Sequence, residues 1–329
     1  MKKKYQNAFL LFGLVVLALM VSQLNFGEVW AGVQRAGYWF MAVVLLWVVL
    51  YLFNTAAWRV IIANIAPNDK HRVGFWWLYK ITVTGFALNY ATPGGLMGGE
   101  PYRIMSLSPK IGTEKASASV LLYAMTHIFS HFWFWLFSVA LYVATRPMNV
   151  FMGVLLSAVA LFCVAAVWLF MKGYRHGIVV SLMGLLRRFP LVKRKAQPFF
   201  ESRKEQLQNI DRDMTMLRNN NPRSFMLAVA LEFACRVVSA LEIFFILLVI
   251  MPSADYFECI LILAFTSLFA NMLFFMPLQL GGREGGFLMS AHGLQLSVSA
   301  GIFVALLVRL RELIWTAIGL LLIKIDKKS

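Results

Sequence analysis

Two glycine-rich segments hold the residues whose types and spacing suit chemistry. The first reads Pro93-Gly94-Gly95-Leu96-Met97-Gly98-Gly99-Glu100-Pro101-Tyr102-Arg103, and the second reads Pro277-Leu278-Gln279-Leu280-Gly281-Gly282-Arg283-Glu284-Gly285-Gly286. Aligned on the first proline, both are P-x4-G-x-E, with Gly98 opposite Gly282 and Glu100 opposite Glu284. Proline removes a backbone donor and interrupts a helix, while glycine allows close backbone approach. Pro101 suits the first turn of a new helix, whose N-terminus carries about half a positive charge. Arg103 and Arg283 add full charges beside those ends. The arrangement points to an anion site built from Arg103, Arg283, Glu100, Glu284, Gly98, Gly99, Gly281 and Gly282. Two plainer readings stand beside it. Small residues also permit tight helix packing in membranes, and Glu100 and Glu284 can serve as first-turn acids or as partners of Arg103 and Arg283 instead of proton carriers.

Further charges fall inside apolar runs. Glu232 and Arg236 are spaced i, i+4, which puts them on one face and predicts a structural ion pair. Glu242 follows in the same run. Arg309, Arg311 and Glu312 lie near the centre of the last apolar run, where a charge costs about 2.5–3.5 kcal/mol on insertion scales and must face protein or water. Their balance leaves one positive charge over, which makes Arg309 a further candidate for substrate binding. Lys80 can snorkel to the interface. His127 and His131 are also i, i+4, but no carboxylate or cysteine lies near them in sequence, so polar packing beside Trp133 and Trp135 is expected. The three cysteines, Cys163, Cys235 and Cys259, lie in apolar runs without CxxC spacing. No metal site, disulfide framework or cofactor is expected. HExxH, GxSxG, Walker and GxGxxG patterns are all absent from the sequence, so no catalytic residue is assigned.

The elements that must position these residues are membrane helices. Of 329 residues, 60% are hydrophobic and 14% charged, against about 45–50% and about 25% in soluble domains. A helical span needs roughly 20 apolar residues. Six stretches suit: Ala8–Leu24, Tyr38–Ile62, Ala116–Thr145, Met148–Met171, Ser224–Ile250 and Ser299–Ile323. The first has the basic start of a signal peptide at Lys2, Lys3 and Lys4 but no convincing small-x-small site after it, so it is expected to stay as a helix.

The surplus of 31 basic over 15 acidic residues falls mostly between apolar runs and reads as topology, not as nucleic-acid binding. It places both termini on the cytoplasmic side. The stretch 172–223 holds twelve basic and four acidic residues and forms a cytoplasmic linker, with a helix-like stripe over Phe199–Leu217 suited to the inner leaflet. These sides create a parity problem. The segments 73–115 and 257–298 must each begin and end on one face, which predicts two re-entrant hairpins entering from opposite sides. The fold class expected is an all-α polytopic membrane protein: one membrane domain over 1–329, with halves 1–171 and 224–329 arranged as an inverted repeat. Broken helices at corresponding places in two repeats are the usual pointer to a transporter's substrate site.

The stretches ATPGGLMGGEPYRIMSL with the following EKASASVLL, and MPLQLGGREGGFLMSAHGL running into ALLVRLRELIWTAIGLLLI, resemble the transmembrane region of bacterial lysylphosphatidylglycerol synthases and the wider flippase-like integral membrane family. With the basic linker they cover nearly the whole chain. The second stretch is similar to the family's P-G-G-x-G-x-R-E pattern followed by a late intramembrane arginine, here Arg309. Two departures stand out. The helix after the first motif reads LLYAMTHIFS where the family often carries an arginine and an acid, and Leu278, Gln279 and Leu280 replace glycines. Synthase members add a soluble catalytic domain after the membrane part, and this chain ends at Ser329. The resemblance therefore implies the lipid-translocating part without the aminoacyl transferase.

The leading expectation is a transporter, not an enzyme, that moves an anionic phospholipid or lipid-linked precursor between leaflets. A second is a non-transporting membrane partner that presents lipid to a separate head-group synthase or glycosyltransferase through Arg187, Arg188, Lys193, Arg194 and Lys195. A third is a lipid-modifying enzyme with Glu100 or Glu284 as general base. The lipid, the direction, the energy source and the oligomeric state, a homo-oligomer included, are left open by the sequence.

Overall fold

The computed structural model describes residues 26–91, 98–176, 222–272 and 298–324, with positions 11, 14, 15, 18, 22 and 287. Nine α-helices lie among the described residues: α1 Phe26–Ala36, α2 Tyr38–Ile65, α3 Phe75–Ala91, α4 Gly99–Ile111, α5 Thr113–Thr145, α6 Val150–His176, α7 Pro222–Leu248, α8 Tyr256–Met272 and α9 Val298–Leu322. A short 3-10 turn, Lys70–Arg72, links α2 to α3. The expected spans at 38–62, 116–145, 148–171, 224–250 and 299–323 each coincide with one helix to within about a turn. The expected first span is described only at isolated positions, all helical. The second glycine-rich segment and residues 177–221 of the basic linker lie outside the described residues.

The chain is a helical membrane protein. Among the described residues, three helices are long and apolar enough to cross a bilayer, Tyr38–Ile65, Thr113–Thr145 and the Val150–Met171 part of α6. At 1.5 Å per residue, the 28 residues of α2 reach about 42 Å. In contrast, α3 and α8 have 17 residues each, or about 25 Å, short of the roughly 30 Å hydrocarbon layer. Helix α4 is shorter still, with 13 residues. Two turns use left-handed glycine: Gly37, with φ 54° between α1 and α2, and Gly112, with φ 86° between α4 and α5. A side chain would strain either position.

Helices α2 and α7 form the most extensive interface among the described residues, and α9 lies along α3. Small residues bring α3 and α9 together: a Cβ on Gly319 would run into the Ala87 side chain, and Thr84 Oγ1 donates to the Gly319 carbonyl at 3.1 Å. Such close approach is the usual driving contact between helices in lipid. One apolar cluster gathers Trp58, Leu78, Tyr102, Leu107, Tyr123 and Phe225 from α2, α3, α4, α5 and α7. A second joins Phe134, Ile243, Ile260 and Leu307 from α5, α7, α8 and α9. Helix α6 sits at the rim, with Phe151, Leu161, Phe162 and Trp168 exposed, as lipid-facing residues are expected to be.

Candidate functional site

Helices α3 and α4 run antiparallel on either side of the first glycine-rich segment. At their outer end, Lys110 Nζ donates to the Arg72 carbonyl at 3.0 Å and lies over the Trp77 ring. At the inner end, Asn89 of α3 meets the first turn of α4. Its Oδ1 accepts from the Gly99 backbone N–H at 2.7 Å, and its Nδ2 donates to Glu100 Oε1 at 3.0 Å. A neighbouring helix thus supplies the cap that Gly98, with no side-chain oxygen, does not. Gly98 and Gly99 are buried. A Cβ on Gly99 would collide with the Gly85 carbonyl and with Asn89, so that glycine is required by helix contact.

Arg103, one turn into α4, is 2% exposed. Its Nη1 donates to Glu100 Oε1 at 3.1 Å and its Nη2 to the Thr82 carbonyl at 3.4 Å. The guanidinium faces the rings of Phe86 at 4.7 Å, Tyr123 at 5.3 Å and Trp58 at 5.7 Å, within the range of cation–π attraction. The space it fills exists because residue 85 is glycine; a Cβ there would strike Arg103 Nε. Three buried polar atoms at this point carry no hydrogen-bond partner among the described residues: Arg103 Nε, Trp58 Nε1 and Glu100 Oε2. Each costs about 1–3 kcal/mol, and such orphans are rare enough to call for a reason.

A second buried arginine belongs to α9. Arg311 Nε donates to Glu242 Oε1 at 2.6 Å and Nη2 to Oε2 at 2.9 Å, a fork-to-fork pair between α9 and α7. Glu312 lies 3.8 Å from the same guanidinium, and the Trp47 ring stacks 3.8 Å from it. Aromatic contacts join the two arginines: Trp47 to Tyr51 at 5.4 Å, then Tyr51 to Phe86 at 5.6 Å. The late arginine that shares this system with Arg103 is therefore Arg311. Arg309 is half-buried two residues earlier on α9 and has an interaction of its own.

Glu232 and Arg236 share a face of α7, and each bonds beyond that helix. Glu232 accepts from Asn54 Nδ2 at 3.0 Å and pairs with His127 Nδ1 at 2.7 Å. Arg236 donates to Ser130 Oγ at 2.7 Å and to the His127 carbonyl at 2.6 Å. Both residues of the expected pair thus also hold α5, which offers a ring nitrogen and a carbonyl at that level. Arg236 remains close enough to offset the Glu232 charge. His127, expected to pack among aromatics without a carboxylate, gains one from a helix 105 residues away. Ring contacts with Phe86 and His131 are present as well.

Gly281, Gly282, Arg283 and Glu284 lie outside the described residues. Residues missed by the sequence reading are Gly85, Asn89 and Asn54. Their signal was present: a lone glycine and two amides inside apolar runs, each of which calls for a packing or hydrogen-bonding reason. Among the described residues no group of three or more His, Cys, Asp or Glu side chains could hold a metal ion.

A family model described as the lysylphosphatidylglycerol synthase TM region matches residues 8–319. A protein described as a UPF0104 membrane protein, from Methanothermobacter thermautotrophicus, is 32% identical over 123 residues, covering 36% of this chain. The match spans 35% of that relative's own length. No solved structure matches.

Proposed function

The chain belongs to the lysylphosphatidylglycerol synthase TM-region family, and from that premise we propose that it is a lipid transporter that moves an anionic phospholipid or lipid-linked precursor between leaflets of the bacterial inner membrane. The observation that carries this reading is the α4 N-terminus. A buried arginine, a helix start and three unpartnered polar atoms lie together behind a glycine-rich break. An acidic head group would compete with Glu100 for Arg103 and use the Nε and indole donors that now lack acceptors. Arg283 and Arg309 would complete its cationic surround, while the acyl chains stay in lipid.

An inverted repeat of six spans and two re-entrant hairpins provides the movement. Several features support it. The motif prolines, Pro93 and Pro277, are 184 residues apart, and Glu100 and Glu284 keep the same spacing. Packing follows the same exchange: α3 of the first half lies on α9 of the second, α8 of the second lies on α5 of the first, and α2 lies on α7. Helices α3 and α8 are thus each packed on a long helix of the opposite half, so that rocking of the halves would expose the hairpin tips to each face in turn. The charges sit where only protein or water can surround them.

The test is access of a fluorescent phosphatidylglycerol to an impermeant quencher in vesicles reconstituted with the purified chain. Wild type should raise inter-leaflet movement, and Arg103→Ala and Arg283→Ala should each lower the protein-dependent rate by roughly tenfold, a loss of about 1.4 kcal/mol. Unchanged rates in both variants would remove the proposed head-group site. A wild-type rate equal to that of empty vesicles would remove the transport reading.

A further inference from the structure

We propose that His127 and Glu232 form a proton-binding site that loads together with the anionic head group, making the proton the coupling ion of the transport reading on which this inference rests. Glu232 is 1% exposed, whereas the His127 side chain is 30% exposed. The pair thus has a sealed member and an open one. With Glu232 ionised, its carboxylate only accepts, so His127 Nδ1 carries the hydrogen of their 2.7 Å bond and Nε2 is the nitrogen that takes an incoming proton. Asn54 holds the other carboxylate oxygen, so α2, α5 and α7 all meet at this one group.

The pair also touches the hairpin. The His127 ring lies 5.6 Å from the Phe86 ring of α3, and Phe86 is in turn 4.7 Å from the Arg103 guanidinium. Any displacement of Arg103 toward a ligand is therefore felt at the imidazole through one ring.

Charge balance links the two events. Helix α7 presents Glu232, Cys235 and Arg236 to this site, α2 presents Asn54 and Tyr51, and α4 presents Arg103 with Glu100. Helix α5 itself adds Tyr123 and His131, while α3 adds Phe86. Beyond them, α6 sets Phe170 and Phe162 against Phe129 and Phe132, α8 sets Ser267 against Trp135, and α9 sets Arg311 beyond Tyr51, between Glu242 and Glu312, with half-buried Arg309 two residues earlier. With a neutral imidazole, Arg236 offsets Glu232 and Glu100 offsets Arg103. A proton on His127 adds one positive charge to these two matched pairs, and an anion at Arg103 offsets it. A phosphate-bearing head group supplies that anion. By linkage, whatever factor the head group adds to proton affinity, the proton adds to head-group affinity. Proton and anion then enter and leave as one neutral load.

The experiment uses the purified full-length chain in neutral detergent and weak buffer containing a pH indicator. Short-chain phosphatidylglycerol is added near pH 6.5, with short-chain phosphatidylcholine as the zwitterionic control. Wild type should take up as much as about one proton per chain on phosphatidylglycerol and none on phosphatidylcholine. His127→Gln, which keeps a donor to Glu232, should abolish the uptake, and Glu232→Gln should reduce it. His71→Gln should retain it. Absent uptake in wild type, or equal uptake in His127→Gln, overturns the proposal. If uptake is present but wild-type vesicles move no lipid, the transport reading fails and the proton–head-group linkage stands.

Discussion

Arg103 and Arg311 are both buried, both lie against aromatic rings and both face a glutamate, yet they are neutralised in different ways. Arg311 donates two bonds to Glu242 on another helix, whereas Arg103 donates one to Glu100, three residues earlier in its own helix. An inter-helix fork ties α9 to α7, because separating them would strand two charges in a medium that penalises each by several kcal/mol. An intra-helix pair travels with its helix. Helix α4 therefore carries the counter-charge of Arg103 with it, while the Thr82 carbonyl and the Asn89 cap tie it to α3. One arginine joins two helices by charge, and the other is matched within its own.

The largest expected effect tests the fixed member. Glu242→Ala leaves Arg311 without its fork and should cost about 3–5 kcal/mol, read as a loss of monodisperse protein or a large fall in the thermal unfolding midpoint. Glu100→Ala should cost clearly less, because Arg103 keeps the Thr82 carbonyl and three rings. Equal losses in the two variants would break the distinction. A smaller effect is expected at the glycines that admit Arg103. Gly85→Ala puts a methyl where Nε lies, and Gly99→Ala puts one against the Gly85 carbonyl. Overpacking of this kind costs about 1–3 kcal/mol and should displace α4 from α3. Cross-linking of a cysteine pair at positions 89 and 100 would report it as a lower yield than in the parent background.

How much of this was legible in the sequence follows from the range of each interaction. Helix positions could be read because apolar length and basic flanks are local properties. Residues 38–62 and 224–250 were recovered as α2 and α7 almost whole. The P-x4-G-x-E motif led to Gly98, Gly99, Glu100 and Arg103, which do come together with a buried arginine at a helix start. Partners across helices were not legible. Glu232 and Arg236 were read as a pair because i, i+4 spacing is visible, but the choice of His127, Asn54 and Ser130 depends on which faces of α2, α5 and α7 meet. The same reason hid Glu242 as the partner of Arg311 and turned attention to Arg309. Charge counting along one helix misses a counter-charge 69 residues away.

The smallest effect separates the two ends of the α3–α4 hairpin. Its inner end is held by Asn89, Gly99, Glu100 and Arg103, nearly all buried. The outer end has an exposed Lys110 bond to the Arg72 carbonyl and, beside it, Lys115 3.5 Å from Asp69, with side chains 42% and 22% exposed. An ion pair this open is worth about 0–1 kcal/mol and is screened by salt. Lys115→Ala should therefore shift the unfolding midpoint by about a degree or two at low ionic strength, and by less at high salt. Asn89→Ala, which removes the cap of α4 and one of the bonds to Glu100, should cost about 0.5–2 kcal/mol with no such salt dependence. If Lys115→Ala proves the more damaging at high salt, the hairpin is anchored at its root, and the buried tip is not what holds α4 in place.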